Sequence, residues 1–291
     1  MSDDREQKNA IFAQQGPAGV DPRMPRISQA DKAKADFGLE IPHEIVPLPS
    51  NGKVYPQDSS LYGCDAVEIK AMTVKEEDIL TSRALLKKGT VITELIKSCM
   101  TDKSINPLDL LSGDRNALMV AIRVTGYGPE YDVEMECPEC SVKSPHSFNL
   151  GALPVKRLEI EPVLPGVNLF EFKLPRSGKV VKFKFMTGRD EEEIVALGEK
   201  QKKLGLPTDS AVTTNLLYAI HSIDGIEDRA KLSNFIKQAM PAADSLALRN
   251  YMQDHEPGLV MRQETTCNAC GHSEEVSMPL GVTFLWPSAG R

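Results

Sequence analysis

Four of the six cysteines in this 291-residue chain fall into two Cys-x-x-Cys pairs, Cys137-Pro-Glu-Cys140 and Cys267-Asn-Ala-Cys270. Two thiolates at that spacing on a tight knuckle can point at one cation, and two such knuckles supply the tetrahedral sulfur set that zinc prefers. Each pair follows an alternating segment, Val133 to Glu136 and Val260 to Thr266, and is followed by polar residues that can close a turn. The gap between the pairs far exceeds the roughly 15–20 residues of a compact zinc ribbon, so tertiary structure must close the site. The expectation is one shared site, Cys137, Cys140, Cys267 and Cys270, holding a structural Zn2+, with disulfides or free thiols as the alternative. Four thiolates fill the coordination shell and leave no position for an activated water, so such a metal does no catalysis.

The remaining chemistry-bearing residues do not assemble a second site. The sequence has no GxxxxGK[ST] phosphate loop, no GxGxxG after a strand, no HExxH and no GxSxG. His221-Ser222-Ile223-Asp224 sets nucleophile-like residues side by side, but adjacency rarely gives triad geometry, and Asp224-Gly225 reads as a turn. His146 and His272 lie near the knuckles without being needed as ligands, and Cys64 and Cys99 read as core thiols. No catalytic residue is assigned, and the expected protein is not an enzyme. Lys87-Lys88, Lys182 with Lys184, and Lys200 with Lys202-Lys203 are interleaved with acids and lack companion aromatics, which makes them solvated faces rather than nucleic-acid contacts.

The elements that must carry the knuckles occur twice. Sliding the sequence by about 130 positions sets Asp114 on Asp244, Ala117 on Ala247, Leu118 on Leu248, Gly128 on Gly258, Glu134 on Glu264 and one cysteine pair on the other. Upstream the match resumes at a shorter shift, with Val67, Met72 and Thr73 on Val181, Met186 and Thr187. Val67 to Ala71 and Val181 to Phe185 alternate as half-buried strands. Each runs into Met-Thr and an acid three residues on, Glu76 or Asp190, which makes Thr73 and Thr187 helix caps. Helices are expected over 74–87, 90–100 and 107–125 in the first copy, and over 189–204, 209–221, 228–238 and 242–253 in the second. The expected fold is α+β: an internally duplicated unit of strand, helices and β-hairpin, its halves joined by one zinc-ribbon-like four-cysteine site.

Composition bounds the rest. With 41% hydrophobic residues, 26% charged and a net charge of −7, the chain can bury a sizeable core. The acidic balance argues against sequence-independent binding to nucleic acid. No apolar run approaches about 18 residues, so no membrane span is expected, and MSDDREQKNA does not read as a secretory signal. Residues 1–40 are polar and lack a periodic apolar face, so they read as a tail that is disordered or orders on a partner. Residues 41–64 form an extended arm ending its proline run at Asn51-Gly52, 65–155 the first repeat unit, 156–178 a linker and 179–291 the second repeat unit. Trp286 near the end reads as core packing.

In order along the chain, Ile45-Val-Pro-Leu-Pro-Ser-Asn-Gly-Lys-Val-Tyr-Pro, Met72-Thr-Val-Lys-Glu-Glu-Asp-Ile-Leu, Ser112-Gly-Asp-Arg-Asn-Ala-Leu, Thr125-Gly-Tyr-Gly, Cys137-Pro-Glu-Cys140 and Phe284-Leu-Trp-Pro resemble the baseplate protein family of T-even-type contractile-tailed bacteriophages, its hub subunit required for tail assembly. The resemblance covers most of residues 41–287. It implies a non-enzymatic role in the virion or in assembly within the host cytoplasm. The implied partners are other tail and baseplate hub proteins, the tape-measure protein among them. A zinc-ribbon nucleic-acid-binding adaptor is the alternative reading, and a metallohydrolase the least favoured.

Overall fold

The computed structural model describes residue 38 and residues 40–205, 211–278 and 284–285. The expected tail at 1–40 falls almost wholly outside these residues, as does Trp286. No described helix is long and apolar enough to cross a membrane.

The arm opens with strand β1 (His43–Pro47), which pairs antiparallel with β2 (Ala66–Lys70), Val46 opposite Val67. Between them the chain turns at Asn51 and Gly52, both left-handed at φ 51° and 68°. Asn and Gly are the residues that tolerate this region, so the Asn-Gly turn read from the sequence forms. β2 leads through Met72-Thr73 into helix α1 (Val74–Thr81), where the Glu76 carboxylate accepts from the Thr73 N–H at 3.0 Å and its hydroxyl at 2.5 Å.

The helix expected over 74–87 is two. Ser82 is extended, ends α1 and starts α2 (Arg83–Lys88), which stops at left-handed Gly89. Helix α3 (Val91–Cys99) buries Val91, Leu95, Ile96 and Cys99, so Cys99 is a core thiol. The helix expected over 107–125 begins as a single 3-10 turn, Pro107–Asp109, and becomes α4 (Ser112–Tyr127) only after Leu111 has bridged to Thr187. The hairpin β3 (Glu130–Glu136) and β4 (Lys143–Asn149) follows.

After the short strand β5 (Val155–Lys156), strands β6 (Phe170–Lys173), β7 (Val180–Phe183) and β8 (Ile220–Ile223) form an antiparallel sheet in that order. Helices α5 (Gly188–Lys203) and α6 (Ala211–Ala219) lie between β7 and β8. The helix expected over 209–221 therefore ends early: Ala219 accepts from the Lys184 N–H at 2.8 Å, and Ile220 and Ile223 are buried as strand residues. Helical periodicity over a short apolar run cannot tell these outcomes apart; pairing with β7 decides it. Helix α7 (Arg229–Asn234) continues into a π-turn at Phe235–Ala239, and α8 (Ala242–His255) leads to β9 (Gly258–Leu259), which pairs with β5. The second hairpin is β10 (Arg262–Thr266) and β11 (Ser273–Ser277).

One core serves both halves. Leu48, Ile69, Leu95, Leu118 and Ile122 belong to it, as do Phe170, Phe183, Phe185, Leu248 and Phe284. Phe170 and Phe185 meet at 4.9 Å between ring centroids, and each such buried side chain contributes about 2–3 kcal/mol. Phe284 packs edge-on to Tyr131 at 5.1 Å, fixing the base of the first hairpin.

Candidate metal centre

Each hairpin ends in the same knuckle. In the first, the Cys137 N–H donates to Val142 at 3.0 Å and the Ser141 N–H to Cys137 at 2.8 Å. In the second, the Cys267 N–H donates to His272 at 2.8 Å and the Gly271 N–H to Cys267 at 2.9 Å. Both turns need one left-handed residue, Ser141 at φ 55° and Gly271 at φ 74°. The strand pairing that precedes each knuckle, Glu136 with Lys143 and Thr266 with Ser273, sets the two cysteines of each pair on one side of the turn.

The fold then brings the knuckles together. Cys137 Sγ lies 3.7 Å from Cys270 Sγ, and Cys140 Sγ lies 3.7 Å from Cys267 Sγ. All four sulfurs lie within 4.8 Å of one another. A tetrahedron with metal–sulfur bonds of about 2.3 Å has edges of about 3.8 Å, so the donor set fits one tetrahedral ion. The four thiols are free, and 3.7 Å is far beyond a disulfide bond. The cluster can hold a metal ion. Beneath it a cavity of about 20 Å³ is lined by Met135, Ser144, His146, Thr265, His272 and Glu274, so residues of both hairpins face one another there. His146 Nε2 is 3.0 Å from Ser144 Oγ, and neither His146 nor His272 joins the ligand set.

The electrostatics suit a cation. Backbone N–H groups of Cys270 and Ala269 bond to the Cys267 sulfur and hold its pKa down, at about 6. Cys270 receives the His272 N–H, but the neighbouring sulfurs of Cys140, Cys267 and Cys137 outweigh it and push its thiol up to about 12. Against the Val142 N–H bonded to it, desolvation and then the Cys267 and Cys137 sulfurs raise Cys140 as well. A second thiolate beside the first is unfavourable until a positive ion sits between them.

Two buried carboxylates, not singled out as functional in the sequence, position the elements that carry the hairpins. Asp114, in the first turn of α4, accepts from the Ser50 N–H at 2.9 Å, the Ser50 hydroxyl at 2.6 Å and the Tyr55 hydroxyl, which in turn accepts from the Leu111 N–H at 3.0 Å. Burial pushes the Asp114 carboxyl up, and the bonds from Ser50 and Tyr55 oppose that shift. Asp244, in the first turn of α8, accepts from the N–H groups of Arg176 and Ser177 at 2.6 and 3.0 Å. Both aspartates are fully buried. A sequence signal was there to find: Leu48-Pro-Ser-Asn-Gly-Lys-Val54 and Leu174-Pro-Arg-Ser-Gly-Lys-Val180 share five of their seven residue types, and the turns inside them hold these two carboxylates.

The helix starts match in the same way. Lys70 Nζ pairs with Glu76 at 2.7 Å, and Lys184 Nζ with Asp190 at 2.6 Å. Asp190 also accepts from the Thr187 N–H at 3.0 Å and hydroxyl at 2.9 Å. The shorter aspartate reaches its cap as the glutamate does.

Fold and centre together define a mixed helix-and-sheet protein whose two β-hairpins converge on a four-thiol centre able to hold a metal ion. A family model described as "T4 bacteriophage base plate protein" matches residues 42–286, and the chain belongs to that family of phage baseplate proteins. Among curated proteins and solved structures, none matches the chain.

Proposed function

We propose that the protein is a non-enzymatic structural or assembly component of the hub region of a phage tail baseplate, held in shape by one zinc ion shared between two halves of a duplicated unit. The observation that carries this reading is the convergence of Cys137, Cys140, Cys267 and Cys270 within 4.8 Å from two hairpins 127–133 residues apart in the chain. Zinc suits a four-thiolate tetrahedron better than harder cations do, and a structural zinc of this kind contributes several kcal/mol to folding. The four cysteines would hold the metal, and the backbone N–H groups around Cys267 would support the thiolate charge.

Duplication is supported by bonds that recur, not by residue identity alone: the two knuckles, the two capped helix starts with their lysines, and the two aspartate-held Leu-Pro turns. In this reading 65–155 and 179–291 are the repeat units, 41–64 the arm and 156–178 the linker. Residues 1–40 are a tail that is disordered or orders on a partner. Partners are other tail and baseplate hub proteins, with the tape-measure protein nearby, and the protein resides in the virion or in assembly intermediates in the host cytoplasm.

The adaptor reading fits less well. Outward positions of the hairpins carry Glu130, Asp132, Glu134, Glu136, Glu264 and Glu275, all exposed, which repel rather than neutralise phosphates. The test is to fractionate an infected-cell lysate carrying a tagged chain. Co-sedimentation with baseplate intermediates is expected. A chain found only free, or bound to nucleic acid with salt-dependent affinity, would overturn the reading.

A further inference from the structure

Among the described residues, helix α5 is anchored by polar bonds at its start and is only half-buried along one face, at Ile194, Gly198 and Gln201, further on. Gly188 and Asp190 are its buried residues, and Arg115, Thr93 and Asp109 engage its first turns through Glu191, Glu192 and Arg189. From Val195 onward no residue of the helix is buried. At about 1.5 Å per residue the helix is about 24 Å long, and the face opposite its half-buried residues is free for a partner. Two leucines on that face are open to solvent, Leu197 at 40% within the helix and Leu204 at 62% at its C-cap.

The exposed residues Arg189, Glu193, Ala196, Leu197, Lys200 and Leu204 recur at intervals of three and four, so they form one stripe. Read from its middle, between Ala196 and Leu197, the stripe is self-complementary. An identical helix laid antiparallel about that point would set Glu193 against Lys200 twice, Ala196 against Leu197 twice, and Leu204 along the stem of Arg189 twice. A parallel arrangement would set like charges together. A two-fold interface is isologous and needs this kind of self-match.

We propose that α5 is a self-association surface, pairing antiparallel with α5 of a second copy of this chain. One helix stripe buries an area at the low end for specific interfaces, so the dimer is weak, salt-sensitive and favoured where copies are concentrated. This goes beyond the baseplate reading and does not depend on the metal.

The test is sedimentation equilibrium of the full chain at low and high salt, with Glu193→Lys, Lys200→Glu and the double variant E193K/K200E. Each single variant turns two attractions into two repulsions and should weaken dimerisation by roughly tenfold or more. The double variant should regain the native dimer, and mixing the two single variants should give a heterodimer. These sites are exposed, so the variants should keep the native circular dichroism and melting profile. A chain that is monomeric at low salt and high concentration would overturn the proposal. So would single variants that dimerise as well as the native chain, or a double variant that fails to recover.

Discussion

The sulfurs of Cys137 and Cys270 lie 3.7 Å apart although 133 residues separate them. Nothing local brings them together. The first hairpin follows α4 in the chain and the second follows α8 and β9, and each helix is pinned at its first turn by a buried aspartate that grips a Leu-Pro turn. The centre is thus the meeting point of two similarly built supports.

Replacing Asp114 by alanine should remove the acceptor of three hydrogen bonds and leave the Ser50 N–H buried without a partner. The expected loss is about 3 kcal/mol, read as a lower denaturant midpoint. Asp114→Asn retains one acceptor oxygen and should lose about half as much. A change below about 0.5 kcal/mol in the alanine variant would show that the turn is held by something else.

Gly52→Ala should be comparably harmful for a different reason. Gly52 sits at φ 68°, and a Cβ there would lie 2.4 Å from both the Cys64 nitrogen and the Leu61 carbonyl oxygen. With strain and clash together, a loss of about 2–4 kcal/mol is expected in thermal unfolding. An unchanged melting temperature would contradict the turn geometry.

The Glu76 carboxyl sets an acid limit. Burial would raise its pKa, but the bonds from Lys70, Ser98 and Thr73 outweigh burial and take it down to about 2 from an ordinary 4.5. A folded-state pKa below the unfolded value means that the group stabilises the fold above pH 4.5 and loses that contribution as pH falls toward 2. Unfolding measured across that window should show a shallower acid loss in Glu76→Gln, with the variant already weaker at neutral pH. Parallel pH profiles for the two proteins would refute the assignment.

Much of this was legible in the chain itself. The Cys-x-x-Cys pairs, the Thr73 and Thr187 caps and the alternating strands are local signals, and their residues formed the local structures expected. Long-range placement was less visible. Ile220 and His221 read as the end of a helix because their strand character exists only through pairing with β7. Ser82 broke a periodic run that propensity alone would continue. The roles of Asp114 and Asp244 could not be read from an acid on a helix, since an acidic first turn ordinarily faces solvent. What marks them is a partner turn in another part of the sequence.

The central claim, one zinc ion bridging both halves, is tested most directly by elemental analysis of the purified chain beside Cys137→Ser and Cys267→Ser. The account predicts one zinc per native chain, lost from both variants. Two metals per chain, no metal at all, or loss from only one of the variants would contradict it.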